Sequence, residues 1–347
     1  MAYIQKEWRI IMSKDMNKWI DDMLAADKKQ AVPVLTFPSV QMMDGITVDD
    51  LVRNADLQAK GMQIIAERTP CGAALSYMDL SVEAEAFGST IRYSDEDVPT
   101  VIGSILKEPE DAEALVVPEV GTGRTGNSIE AVRMAAQNIT DRPILAGVIG
   151  PFSLAGRLLD VTEALFLCYD EPEMVHETLK KVTEFQIKYC QAYKEAGADG
   201  VVMAEPLAGI LSEDLAEEFS AEYVKQIVEA VQDDNFIVVY HNCGNSTIAT
   251  IDSIVNNGCR VFHFGNAIDM EEMMPLIPEN CVAMGNVDPS SQFRNGTPES
   301  VYKATTELME KCCKYPNFVI SSGCDIPPLS PWENIDAFFK AVDDFYA

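Results

Sequence analysis

Eight short apolar runs punctuate the chain: Val32–Phe37, Gly72–Met78, Ile144–Ile149, Gly200–Ala204, Phe236–Tyr240, Val261–Phe264, Val282–Val287 and Phe318–Ser321. Each is four to seven residues long and several are rich in Val, Ile and Phe, the pattern of strands buried on both faces. Longer amphipathic segments separate them. Glu173–Glu195 sets Met174, Leu179, Val182, Phe185, Ile187 and Tyr189 among Glu and Lys, mostly at three- and four-residue steps, which predicts a helix. Glu217–Val231 and Pro298–Cys313 read the same way, and Asp336–Tyr346 predicts a final helix. Strand and helix in alternation imply parallel pairing through right-handed crossovers. Eight repeats point to closure as a TIM (β/α)8 barrel, a single domain over 1–347. Residues 1–30 are expected to form a helical extension on its outside. An open doubly wound sheet is the alternative. Against it, Gly121-Thr122-Gly123-Arg124-Thr125-Gly126 lies in a polar loop with no preceding strand, so it is not a dinucleotide fingerprint.

Composition narrows the classes of function. With 55 acidic against 26 basic residues the net charge is -29, scattered along the chain rather than gathered in a tail. Such a surface repels phosphate backbones and anionic lipid heads, so neither nucleic acid nor membrane is expected as a partner. No apolar run reaches the roughly 18 residues that cross a bilayer. The first residues carry Lys6, Glu7, Arg9, Lys14 and Asp15, unlike a secretory signal, and the expected location is the cytoplasm. Nine cysteines is an odd count that fits a reduced protein better than a disulfide-stapled one. Cys71, Cys168, Cys190, Cys259, Cys281, Cys312 and Cys313 are read as structural.

Candidate chemistry sits at the carboxyl ends of two runs. The fifth ends Tyr240-His241-Asn242-Cys243-Gly244, and the eighth leads into Gly323-Cys324-Asp325-Ile326-Pro327-Pro328. Active sites of barrel enzymes assemble at that face. His-x-Cys on an extended segment puts both side chains on one side, and a thiolate from a second strand completes three soft donors. Three N/S ligands with a fourth position open is the arrangement of a catalytic zinc. A buried histidine and two core cysteines satisfy the same spacing. Glu205 ends the fourth run, before Pro206, and is expected at the same mouth as a further ligand, a pocket acid or a helix cap. His263 on the sixth run is read as a core residue, and Asp288 as a turn former.

These stretches resemble the corrinoid-dependent methyltransferase branch of the uroporphyrinogen decarboxylase superfamily. The resemblance rests on His241-Asn242-Cys243-Gly244 together with Gly323-Cys324-Asp325-Ile326-Pro327-Pro328. Further similar stretches are Tyr77–Gly88, Gly147–Ala155, Glu195–Asp199, Met203–Pro206 and Gly285–Pro289. It runs from about Pro33 onward and implies a TIM barrel. It also implies that His241, Cys243 and Cys324 bind Zn2+ and act in catalysis with Glu205, and that Tyr77, Asp79 and Met203 line the substrate pocket. The implied reaction moves a methyl group between methylcobalamin, or another corrinoid held by a partner protein, and a small thiol or methyl ether. The decarboxylase branch holds propionates with arginines, whereas Leu35-Thr36-Phe37-Pro38-Ser39-Val40-Gln41-Met42-Met43 has none, although Asp79 falls where that branch keeps its catalytic aspartate. A metal-free lyase and a non-catalytic barrel that binds corrinoid protein are the alternatives. Phe37, Met42 and Met43 form an apolar lip that suits a nonpolar methyl donor or simple core packing.

Overall fold

The computed structural model describes residues 14–347. Nine strands occur among them: β1 (Ala74–Leu75), β2 (Thr90–Arg92), β3 (Thr100–Ile102), β4 (Ile144–Ile149), β5 (Gly200–Ala204), β6 (Ile237–Asn242), β7 (Val261–Phe264), β8 (Val282–Val287) and β9 (Phe318–Ser322). Seven of these form one parallel sheet in the order β1-β4-β5-β6-β7-β8-β9, while β2 and β3 pair as a separate antiparallel ribbon. Seven of the eight predicted runs therefore carry a strand of the sheet. The segment after β2 and β3 supplies the loop before the helix Thr125–Asn138.

The first run, 32–37, closes the ring without becoming a regular strand. It lies between the first and last strands: the Val32 N–H donates to Ile320 O at 3.1 Å, and the Gly72 N–H donates to Ala31 O at 2.9 Å. Pro33 has no N–H to offer, and hydroxyl groups take over part of the ladder. The Val34 N–H donates to Ser322 Oγ at 3.0 Å, and Thr36 Oγ1 donates to Leu75 O at 2.8 Å. The result is a TIM-like α/β barrel with an irregular seam.

Strand alternation divides the core into two layers. Val34, Leu75, Met78, Val202, Ala204, Ile237, Val239, Val261, Val282, Met284 and Val319 pack together in the lumen. Their neighbours, such as Val201, Met203, Val238, Phe262 and Ile320, pack outward against the helices. The longest helix, Pro172–Ala196, begins at a proline and ends at Gly197, whose φ of 98° is the left-handed conformation that terminates a helix without a Cβ clash. Its buried stripe of Met174, Leu179, Val182, Phe185 and Tyr189 is the one the sequence marks.

The N-terminal helix, Met16–Ala25, departs from expectation. It plugs the barrel instead of packing on its outside. Met16 and Ile20 are fully buried in the luminal cluster. The Met16 N–H donates to Asp234 O, Arg260 reaches Asn17 and Asp21, and Lys14 pairs with Asp199 at 3.0 Å. Asp199, Asp234 and Arg260 lie just before β5, β6 and β7, so the helix crosses the amino-terminal mouth. The rest of the expected extension, residues 1–13, lies outside the described residues. Among the described residues no helix is long and apolar enough to cross a membrane.

Candidate metal centre

Two strand ends bring the three predicted donors together. His241 is the fifth residue of β6, Cys243 follows that strand, and Cys324 follows β9. His241 shares the inward face with Ile237 and Val239, and Cys243 keeps the alternation one step beyond. Ligand atoms of all three lie within 4.8 Å of one another, and His241 Nε2 is 3.7 Å from Cys324 Sγ. A tetrahedral zinc with ordinary bond lengths separates an imidazole nitrogen from a thiolate by about 3.6 Å. The donor set, its spacing and its softness therefore fit zinc.

The loop carrying Cys243 is held from outside. Asn242, facing away from the lumen, accepts from the Gly244 N–H and from Thr247 Oγ1, both at 2.9 Å. Gly265 gives the cysteine its room: a Cβ there would sit 2.2 Å from Cys243 Cβ. On the other side of His241, its Nδ1 lies 2.6 Å from His263 Nδ1, and His263 Nε2 lies 2.8 Å from Ser321 Oγ. Burial, and then the neighbouring His241, hold His263 well below the ordinary imidazole range.

Cys243 differs from the other cysteines. Burial pushes Cys71 up to about 11, and Cys168 and Cys312 to about 12. Cys243 is instead lowered, because Cys324 donates to it, and Cys324 is correspondingly pushed up to about 12.

A cavity of about 60 Å³ opens against these donors, lined by Val34, Met78, Leu80, Val202, Ala204 and Pro206 as well as Asp325. Asp325 directly follows Cys324, and the sequence pattern alone does not mark it as a site residue. Its Oδ1 is buried without a hydrogen-bond partner, and burial, then Cys324 and Asp79, hold its carboxyl well above the ordinary range. His263, which its apolar run marks as a core residue, touches the site instead. Its position opposite His241 in the β6–β7 register was the signal that it touches the site.

Other expected site residues stand elsewhere. Glu205 is fully buried and lies outside the donor cluster. Its oxygens accept from the Phe152 N–H at 2.7 Å, the Ser153 N–H at 2.9 Å and Ser220 Oγ at 2.9 Å. It therefore caps the start of the helix Pro151–Leu159 across the neighbouring strand. Burial raises its pKa, against the pull of those hydrogen bonds. Met203 points outward, and its neighbours Val202 and Ala204 line the cavity instead. Tyr77 also faces outward, with its hydroxyl 2.8 Å from Ser39 Oγ and its ring edge-on to Phe37, while Met78 and Leu80 take the cavity wall.

Asp79 is engaged in a buried network. Arg124 bonds Asp79 through Nη1, Ser81 Oγ through Nη2 at 2.8 Å, and Glu85 through Nε at 2.6 Å. Of the proposed lip, Phe37 and Met43 are buried in the core outside the lumen, and Met42 is exposed.

The comparisons with known proteins extend over this whole framework. The chain is 28% identical over 330 residues to the methylcobamide:CoM methyltransferase MtbA of Methanosarcina acetivorans, covering 90% of this chain and 94% of that protein. It is 27% identical over 295 residues to a uroporphyrinogen decarboxylase of Coxiella burnetii, covering 80% and 78% respectively. Among solved structures, a methyltransferase from Methanosarcina mazei superimposes with a TM-score of 0.83 at 25% identity, over 96% of this chain and 99% of that one. The uroporphyrinogen decarboxylase (URO-D) family pattern matches residues 23–345. Because that match runs from within the plugging helix to the last helix, over a barrel of the same build, this chain belongs to the uroporphyrinogen decarboxylase family.

Proposed function

We propose that this protein is a zinc-dependent methyltransferase that moves a methyl group between a corrinoid carried by a partner protein and a small thiol or methyl ether. The observation that carries this reading is the convergence of His241 Nε2 with the sulfurs of Cys243 and Cys324 on an apolar cavity. Similarity to methylcobamide:CoM methyltransferases supports it.

His241, Cys243 and Cys324 would hold the ion. When bound, zinc supplies a Lewis acid that favours the thiolate form of a substrate thiol or polarises an ether oxygen. The residues of the chain supply selection and exclusion. Met78, Leu80, Val202, Ala204 and Pro206 form an apolar wall that accepts a methyl-bearing group and disfavours bulk water. At about 60 Å³ the enclosed space is far smaller than the several hundred Å³ that larger ligands need. A corrinoid ring must then be presented from outside, which suits delivery on another protein. Asp325 offers the cavity a carboxyl group whose ionisation burial disfavours, placed to hydrogen-bond a polar substrate atom.

Decarboxylation of a polycarboxylate is disfavoured by the same residues. No arginine occurs in residues 35–43. Arg124, which does reach Asp79, spends its donors on Asp79, Ser81 and Glu85.

The test is metal analysis of the purified protein joined to a methyl-transfer assay with methylcobalamin and a thiol. One zinc per chain and transfer in the wild type, both lost in Cys243→Ala, are expected. A wild type without metal, or full zinc retention in Cys243→Ala, would overturn the proposal.

A further inference from the structure

We propose that His263 and Ser321 are positioning residues that fix the ring tautomer of His241, leaving its Nε2 unprotonated and facing the two sulfurs. The inference rests on the metal-centre reading for what that nitrogen would bind. It follows from the direction of a buried hydrogen-bond chain.

The chain ends on the Val32 carbonyl, which can only accept. Ser321 Oγ lies 2.7 Å from that oxygen and commits its single proton there. His263 Nε2, 2.8 Å from the same Oγ, must then be the donor. His263 is 2% exposed, and among the described residues its side-chain partners are His241 and Ser321, with no carboxylate to support a cation. A neutral ring that carries its proton on Nε2 presents a free electron pair at Nδ1.

Across the 2.6 Å gap to His241 Nδ1, two N–H groups would collide and two bare nitrogens would repel. One proton occupies that gap, and His241 supplies it. The remaining nitrogen of His241, Nε2, is bare, and it is the atom 3.7 Å from Cys324 Sγ. The fixed carbonyl on one strand segment thus sets the electron pair at the site through two rings and a hydroxyl. Outer partners of this kind set both ring orientation and ligand basicity.

Two measurements test this. In the metal-free wild type, two-bond proton–nitrogen correlations of the imidazole rings report each tautomer, and only three histidines need assignment. The expected result is Nδ1–H for His241 and Nε2–H for His263; a proton on His241 Nε2 overturns the inference. In competition titrations with a chromophoric chelator, His263→Leu is expected to weaken zinc binding about 10–100-fold. His263→Gln, which keeps an acceptor and a donor, should stay within a few-fold of wild type. A folded His263→Leu protein with unchanged zinc affinity also overturns the inference. If the wild type binds no zinc yet shows the expected tautomers, the metal-centre reading fails and the tautomer assignment stands.

Discussion

Gly265→Ala is the substitution that most sharply separates the metal centre from the fold. The added methyl would lie 2.2 Å from Cys243 Cβ and 2.5 Å from its Cα. Carbon atoms pack at about 3.5–4.0 Å, so the Cys243 backbone has to retreat by about 1 Å or more. It cannot do so freely, because Asn242 clamps the Gly244 N–H and the Thr247 hydroxyl of the same loop. A metal–sulfur bond tolerates only about 0.2 Å of error. The overpacking itself should cost about 1–3 kcal/mol of stability, which a barrel of this size survives. Zinc affinity should fall at least as far as it does on loss of an outer-shell partner, about 10–100-fold. Chelator competition measures the affinity, and thermal unfolding of the metal-free protein measures the fold. A Gly265→Ala protein that binds zinc with wild-type affinity would show that Cys243 is not held where its sulfur is needed.

Further substitutions probe the residues around the centre. Glu205→Gln turns an N–H toward donors that need an acceptor, and should cost about 1–3 kcal/mol in denaturant unfolding while zinc stoichiometry stays at wild type. Arg124→Met leaves Asp79 buried without its partner and should cost about 3–5 kcal/mol, measured in the same way; recovery in the Asp79→Leu, Arg124→Met double variant would assign the loss to the orphaned charge. Glu83 is buried, and desolvation pushes its carboxyl up to about 8. The folded state therefore holds this proton more tightly than the unfolded chain, and the associated stability is present at low pH and lost as pH rises from about 4.5 through 8, on the order of 5 kcal/mol in all. Glu83→Gln keeps an oxygen for the Ile149 N–H and should flatten that decline, read as the difference in thermal midpoint between pH 6 and pH 9.

Much of this arrangement was legible in the sequence because it depends on local pattern. Continuous apolar runs gave seven strands of the sheet, and the two donor-bearing strand ends converge as the His-x-Cys spacing and the late cysteine imply. The missing strand had a local cause, Pro33, and a non-local one, since Ser321 and Ser322 come from nearly 300 residues away to satisfy it. Pocket residues were harder to read. Tyr77 and Met203 each lie one position from residues that line the cavity, and in a strand one position reverses the face. A run that is apolar on both faces carries no alternation to reveal which residue points inward. The same ambiguity hid the plugging role of Met16–Ala25, whose partners are the residues just before three different strands.

That face reversal also sorts the polar residues at the top of the barrel into two kinds of work. Along the end of β6, His241 and Cys243 point inward to the cavity while Asn242 between them points outward and fastens the loop. At the end of β5, Ala204 faces the cavity and Glu205 faces the helix it caps. At these two strand ends consecutive residues thus divide between chemistry and support, whereas Cys324 and Asp325, in the loop after β9, both face the cavity. Substituting an outward residue should therefore first cost stability or positioning, and an inward one should first cost metal. Glu205, whose carboxylate looks like a ligand in sequence, falls on the outward side, and His263, which looks like a core residue, falls on the inward side beside His241. The face each residue occupies, more than its chemical type, decides which of the two roles it takes.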